Sequence, residues 1–208
     1  MKLLAGLMLT TLIALGCGIA QAQELAPDAL VKKTTDEIVD RIRKDKSLVS
    51  DHRKLLEMVD AVVLPHFNFN RMTMLAVGRA WRDATPAQRE QLMQQFRTLL
   101  VRTYSTALEQ YSNQKIEVKP ASVKQGDTET TVRMVINQPG GQPVVMEYRM
   151  EKTPNGWKVY DVIVEGVSIV TTYRSTFSAE IGKGGIEGLI KTMADQNRRL
   201  EARAAETK

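Results

Sequence analysis

The chain has 208 residues, a length that suits one domain with one hydrophobic core. Its single cysteine, Cys17, lies in a predicted cleaved leader, so the mature protein is expected to have no disulfide, thiolate metal site or cysteine nucleophile. The formal net charge is +5, and +4 once Lys2 is removed with that leader. Because lysines and arginines are mixed with acidic residues along the chain, no nucleic-acid partner is expected.

The first 22 residues are typical of a secretory signal peptide. Lys2 supplies the positive charge, an apolar stretch runs from Leu3 to Leu15, and Ala20-Gln21-Ala22 matches the small-residue pattern that signal peptidase cleaves. We therefore predict a cleaved signal peptide at residues 1–22 and a single mature, soluble domain at residues 23–208, exported from the cytoplasm. The alternative is lipoprotein processing at Cys17, although the leucine usual three residues before that cysteine is missing.

The first half of the mature chain has apolar residues at helical spacing. One such stripe follows Pro27, and a second ends before Pro65. The segment Thr85-Pro86-Ala87-Gln88 combines an N-cap threonine, a proline at the first helical position and a glutamine placed for a capping box. A long helix is therefore predicted from Pro86 to Tyr111.

The second half changes to the period-two pattern of β-strands. Four strands are predicted, at Lys115–Val123, Thr128–Gln138, Pro143–Lys152 and Trp157–Glu165. The turn at Pro154-Asn155-Gly156 is expected to be type I′. Strands so close in sequence favour an antiparallel meander, and helix is predicted again from Ser168, broken at Gly182 to Gly185. The sequence thus predicts an α+β fold, a curved antiparallel sheet packed with helices, plus a helical subregion.

Apolar side chains recur on one face of the predicted sheet and are expected to bind an apolar ligand. The long helix is expected to lie opposite this face. The predicted binding residues are Phe96, Leu99, Leu100, Tyr104, Val132, Met134, Met146, Tyr148, Val162 and Val164. Their methionines are flexible and polarizable, which suits a ligand of variable shape. The alternative for each of these residues is an ordinary place in the hydrophobic core.

Motifs for catalysis are missing from the sequence, which has no Gly-x-Ser-x-Gly elbow, no paired histidine ligands and no glycine-rich phosphate loop. The one candidate is Asp161, an acidic residue inside an apolar strand, where burial could raise its pKa and make it a base. The favoured interpretation is a structural carboxylate paired with Arg174 or Tyr173. No metal, cofactor or catalytic residue is therefore expected.

Two segments resemble the signatures of the MlaC family, also called Ttg2D or toluene-tolerance proteins. The first runs from Leu64 to Met72 and continues through Val77-Gly78-Arg79-Ala80-Trp81-Arg82 to Thr85. The second runs from Trp157 to Ser168 and continues with Tyr173-Arg174-Ser175-Thr176-Phe177. The resemblance covers nearly all the mature chain, with departures at Asn68, where an acid is common, and at Ala76-Val77.

The resemblance implies a periplasmic phospholipid-binding protein that is not an enzyme, with an NTF2-like sheet region and a helical region. It implies a glycerophospholipid cargo without a separate cofactor, its acyl chains inside the protein and its head group outside. It also implies two partners, an outer-membrane complex containing MlaA and an inner-membrane ABC transporter containing MlaD. The alternative is an NTF2-like isomerase or dehydratase that uses Asp161 as its base.

Overall fold

The computed structural model describes residues 24–109 and 114–206. Within these ranges the helices are α1 Pro27–Lys44, α2 Ser47–Ser50, α3 His52–Val62, α4 Phe69–Val77, α5 Pro86–Tyr104, α6 Thr106–Glu109 and α7 Ile169–Glu206. The strands are β1 Lys115–Val118, β2 Glu129–Asn137, β3 Val144–Thr153, β4 Gly156–Val164 and β5 Val167–Ser168. Two short 3₁₀ helices span Leu64–His66 and Gly78–Trp81. The predicted signal peptide, with Cys17 and the cleavage site after Ala22, lies outside the described residues, as does Tyr111.

The predicted α+β fold with an antiparallel meander is confirmed. The five strands lie in the sheet in their order along the sequence, and each is antiparallel to the next. The first strand ends at Val118, earlier than the predicted Val123. The short strand β5 was not predicted, because two residues are too few to carry a period-two pattern.

The turn between β3 and β4 differs from the predicted type I′ turn. Pro154 and Asn155 form the two-residue loop, and the left-handed residue is Gly156, with φ of 88°. A type I′ turn needs positive φ at both loop residues, which the proline ring forbids. That geometry occurs instead between β4 and β5, where Glu165 and Gly166 have φ of 49° and 81°.

A β-bulge in β4 changes which side chains share a face. Met150 pairs with Val159 while the residue before Met150 pairs with Asp161, so Tyr160 is the extra residue. Strict alternation, which would put Val159 and Val162 on opposite faces, is therefore wrong here. The face of β4 that belongs with the predicted binding residues carries Trp157, Val159, Val162 and Val164.

Three apolar clusters form the core. The helical cluster lies among α4, α5 and α7 and includes Phe96, Leu99, Leu100, Phe177, Leu189 and Met193. The sheet cluster lies between the sheet and α1 and includes Val31, Val132, Met150, Trp157, Val159 and Val162. A third cluster joins α1 to α3 through Ile42, Leu55, Met58 and Val62. Phe67 and Ile169 contact both the helical and the sheet cluster, so the two lie side by side.

The helix α7 reverses direction at Gly185, which has φ of 65° and ψ of −165°. The Thr192 hydroxyl donates a hydrogen bond to Glu180 across 3.2 Å. In a straight helix, residues twelve positions apart are separated by about 18 Å, so the chain must fold back between them. The predicted break at Gly182 to Gly185 is confirmed, and it separates two arms, at 169–184 and 186–206.

Both arms of α7 pack against α5. The Phe177 ring of the first arm lies 5.1 Å from the Phe96 ring, edge to face. In the second arm, the Asn197 amide donates to the Gln95 carbonyl oxygen across 3.0 Å. In the part of the chain that the structure describes, no helix is long and apolar enough to cross a membrane.

Candidate functional site

Six of the predicted binding residues lie together on one face of the sheet. They form two rows that cross the three central strands, one residue from each strand. The rows are Val132–Tyr148–Val162 and Met134–Met146–Val164. Side chains directly opposite in an antiparallel pair have Cβ atoms about 5 Å apart, so the six make a continuous apolar surface.

Helix α1 covers this surface. Leu30 and Val31 pack into the sheet cluster, and one turn further along, the Thr35 hydroxyl lies 3.8 Å from the Met134 sulfur. At the near end of the helix, the Asp28 carboxylate accepts a hydrogen bond from the Ala121 amide, which ties α1 to the segment after β1. The structure thus makes α1, rather than α5, the helix opposite the apolar face.

The surface becomes more accessible along the strands. Val132 and Met150 are fully buried, with 0% of their surface exposed. One row further, Met146 and Val164 keep part of their surface accessible, while Met134 of the same row stays buried. Beyond Val164 the β4–β5 hairpin presents Val167, which is 62% exposed. The apolar face therefore has a closed end at Val132 and becomes more accessible on β3 and β4 towards that hairpin.

The four predicted residues from α5 do not join this face. Phe96, Leu99 and Leu100 are buried in the helical cluster against α4 and α7. Tyr104 is 42% exposed near the end of the helix, and partial burial raises the pKa of its hydroxyl. The expectation that α5 lies opposite the sheet face is wrong, because the two arms of α7 cover its apolar side.

The buried carboxylate of Asp161 is held by hydrogen bonds and an ion pair within the fold. Its carboxylate accepts hydrogen bonds from the Ser168 hydroxyl at 2.7 Å and the Val170 amide at 3.1 Å, and Arg149 lies 3.5 Å away. Ser168 in turn accepts from the amide of the third α7 residue, as an N-cap does. The prediction of a paired structural carboxylate is thus supported by the geometry, but the expected partners Arg174 and Tyr173 are replaced by Arg149 and Ser168.

A charged cluster on the opposite face was not recognised in the sequence. Arg71 of α4 contacts Glu129 and Glu151, each at 2.5 Å, and its guanidinium lies 3.8 Å from the centre of the Tyr160 ring. Asn68 donates to the same Glu151 at 2.7 Å. These contacts fasten the helical region to the sheet. No sequence pattern predicts them, because they join residues up to 83 positions apart.

Two surface grooves are poor candidates for an apolar ligand. One of about 620 Å³ follows the outer side of α1, and one of about 280 Å³ lies between α3 and α5. Charged side chains line most of both, including Lys32, Asp36, Arg53 and Arg97. Within the described ranges, histidine and acidic side chains form no group of three or more that would suit a metal ion.

Comparisons with known proteins agree with the fold and the signatures. The chain is 27% identical over 174 residues to the protein of Haemophilus influenzae named intermembrane phospholipid transport system binding protein MlaC, covering 82% of this chain and 81% of that protein. It is 26% identical over 161 residues to the toluene tolerance protein ttg2D of Pseudomonas putida, covering 76% and 74%. A phospholipid-binding protein from Ralstonia solanacearum, solved in complex with a phospholipid, is 37% identical and superposes with a TM-score of 0.79, covering 85% of this chain and 99% of that one. The family model described as MlaC protein matches residues 32–195, and the chain therefore belongs to the MlaC family.

Proposed function

We propose that this protein is a carrier that binds a phospholipid through its acyl chains, between the apolar sheet face and α1. The observation that carries the proposal is the pair of cross-strand rows from Val132 to Val164, apolar in every member except the Tyr148 hydroxyl. The expectation that the chain is not an enzyme is confirmed by its membership of the MlaC family.

The free energy of hydration explains why such a lipid needs a carrier. Burial of one methylene is worth about 0.8 kcal/mol, so two acyl chains exposed to water cost roughly 20 kcal/mol or more. A bilayer offers the same burial as a protein cavity. The carrier therefore needs only to match the membrane, and net direction must come from an energy source elsewhere, such as an ATP-driven transporter.

The gradient of exposure along the sheet supports an orientation for the lipid. The tails lie at the closed end near Val132 and Met150, where no charged head group could be hydrated. The head group lies at the accessible end, beyond Met146 and Val164 and beside the β4–β5 hairpin. The phospholipid complex of the Ralstonia solanacearum protein supports the choice of ligand class.

We also propose a cellular location and two membrane partners for this protein. The signal-like residues 1–22 and the names of the relatives favour a periplasmic protein that starts at Gln23. There it would exchange glycerophospholipid with an outer-membrane complex containing MlaA and an inner-membrane ABC transporter containing MlaD. Intact-mass measurement of the exported protein tests the cleavage site, and a diacylated chain that begins at Cys17 would contradict it.

Native mass spectrometry of the protein purified from its own host tests the function. We expect complexes whose added mass equals that of a phospholipid, identified by extraction and tandem mass spectrometry. A protein that carries no lipid and takes none up from vesicles would contradict the proposal.

A further inference from the structure

The hydroxyl of Tyr148 lies on the apolar face without a strong hydrogen-bond acceptor. In the part of the chain that the structure describes, its acceptors are two methionine sulfurs, Met146 at 3.9 Å and Met134 at 4.0 Å. Thioether sulfur is a weak acceptor, and a buried hydroxyl without a good partner is costly. A phenylalanine would serve the same packing at lower cost, so the hydroxyl requires another explanation.

A second hydroxyl contacts the same Met134 sulfur from the side of α1. Thr35 of α1 donates to the Met134 sulfur at 3.8 Å. Threonines within helices usually return their hydroxyl to the carbonyl four residues earlier, as Thr73 and Thr98 do here at 2.6 and 3.0 Å. Thr35 instead points away from its own helix. Because both hydroxyls contact one sulfur atom, they are no farther apart than the sum of those two distances.

Tyr148 is less completely covered than its neighbours in the same cross-strand row. Burial raises the pKa of its hydroxyl, because the charged phenolate would lose hydration there. The side chain nevertheless keeps part of its surface accessible, unlike its row neighbours Val132 and Val162, which are buried. This accessible part of Tyr148 is where a ligand on the apolar face would reach the ring.

We infer that Tyr148 and Thr35 donate hydrogen bonds to the ester carbonyl oxygens of the bound lipid, an inference that rests on the proposed function. Ester carbonyls accept hydrogen bonds and cannot donate them, which suits two hydroxyl donors. They stand where the acyl chains join the glycerol, between a hydrated head group and apolar tails. The hydroxyls hold the corresponding place, because that of Tyr148 reaches from the Val132 row to the sulfurs of Met134 and Met146 in the next row, and that of Thr35 meets the same Met134 sulfur. Met134, whose side chain is flexible, would turn aside to admit the esters.

This arrangement makes the protein selective for ester-linked over ether-linked lipids. An ether analogue with the same head group and chain length has a methylene in place of each carbonyl, so it is slightly more apolar and lacks both acceptor oxygens. We expect the lipid-stripped wild-type protein to prefer the diacyl lipid by about five- to thirtyfold in direct competition, the size of one to two net hydrogen bonds. Native mass spectrometry measures the ratio of the two complexes.

Three variants separate the hydroxyls from the packing around them. Tyr148→Phe and Thr35→Val keep the side-chain volume, and each should reduce the preference, while the double variant should bring the ratio close to one. Tyr148→Phe should also keep or raise the melting temperature of the stripped protein, because it removes a poorly satisfied hydroxyl. The matched control is Tyr160→Phe, whose hydroxyl contacts Glu129 on the opposite side of the sheet, and it should keep the wild-type ratio.

The competition experiment can contradict the role of the two hydroxyls without contradicting phospholipid binding. A wild-type protein that takes up neither lipid contradicts the proposed function itself. If wild type binds both lipids equally well, the function stands and the inference fails. The inference also fails if Tyr148→Phe weakens both lipids by the same factor, because the residue would then contribute packing alone.

Discussion

Asp161 shows how a buried charge can belong to the fold rather than to a reaction. The residue is 2% exposed, and its carboxylate accepts from a hydroxyl and a backbone amide while an arginine balances its charge. Two of these partners, Ser168 and Val170, stand at the start of α7. The carboxylate therefore joins β4 to the first turn of that helix, where negative charge also suits the helix dipole.

We expect Asp161→Asn to destabilise the protein without changing what it binds. The amide keeps one oxygen to accept hydrogen bonds, but it loses the charge and places an amino group against Ser168 or Val170. A loss of about 2–3 kcal/mol follows from weakening charge-assisted hydrogen bonds in a buried site. Chemical denaturation measures it, and lipid content per folded molecule should equal that of wild type. A variant of normal stability that carries less lipid would contradict this account.

His66 makes stability depend on pH in the mildly acidic range. Burial, and then the positive charges of Lys158 and Lys33, lower its pKa below the usual 6.5. As pH falls below about 6.5, the unfolded chain therefore takes up a proton that the folded chain resists, and stability declines until the folded pKa is passed. His66→Gln should flatten this part of the stability–pH curve. An unchanged slope in the variant would assign the dependence to other groups.

At the scale of the elements, α1 covers the proposed binding face while α5 belongs to the helical cluster, and one pair of substitutions tests this difference. We expect Met134→Glu to keep a cooperative unfolding transition and lose phospholipid, because the hydroxyls of Tyr148 and Thr35 next to it offer donors to the carboxylate. Leu100→Glu should unfold the protein, since it places a charge inside the helical cluster at a cost of several kcal/mol.

Circular dichroism melting and lipid extraction on the same samples measure both effects. Met134→Leu is the control, because it keeps the surface apolar and should retain lipid. If Leu100→Glu folds normally but loses its lipid, α5 lines the binding space after all. If Met134→Glu unfolds outright, the sheet face is ordinary core.

The reversal in α7 depends on a backbone conformation that only glycine adopts easily. With φ of 65° and ψ of −165°, Gly185 lies in a region that costs other residues about 1–3 kcal/mol. We expect Gly185→Ala to lower the free energy of unfolding by that amount. Gly188→Ala is the control, because nothing lies within 4 Å of an added Cβ there and its φ is not left-handed. It should stabilise the second arm by about 0.5–1 kcal/mol, and equal effects of the two substitutions would contradict the argument.

These elements also show how far the sequence predicts the structure. The capping box at Thr85 and Gln88 fixed the start of α5 correctly, and alternation grouped Val132 with Tyr148 because strand register follows the apolar pattern. The sequence did not predict which elements pack against α5, because an apolar helix face can pack against several different apolar surfaces. The bulge at Tyr160 could not be predicted either, because no residue type or spacing in β4 marks the position of the extra residue.

At the scale of the whole molecule, the apolar face links binding to stability. If a phospholipid fills the space between the sheet and α1, the loaded protein is the more stable form, because the ligand binds the folded chain only. At a free lipid concentration 100 times the dissociation constant, this linkage is worth about 2.7 kcal/mol.

We therefore expect removal of lipid to lower the melting temperature of the wild-type protein by several degrees, and reloading from vesicles to restore it. The stripped protein should also bind a hydrophobic dye, because Met146, Tyr148 and Val164 would then face an open space. Met134→Glu provides the internal control, since a variant that holds no lipid should melt at one temperature before and after the same treatment. A wild-type protein that melts identically with and without lipid would show that the cargo lies outside the core, and the sheet face would lose its assigned role.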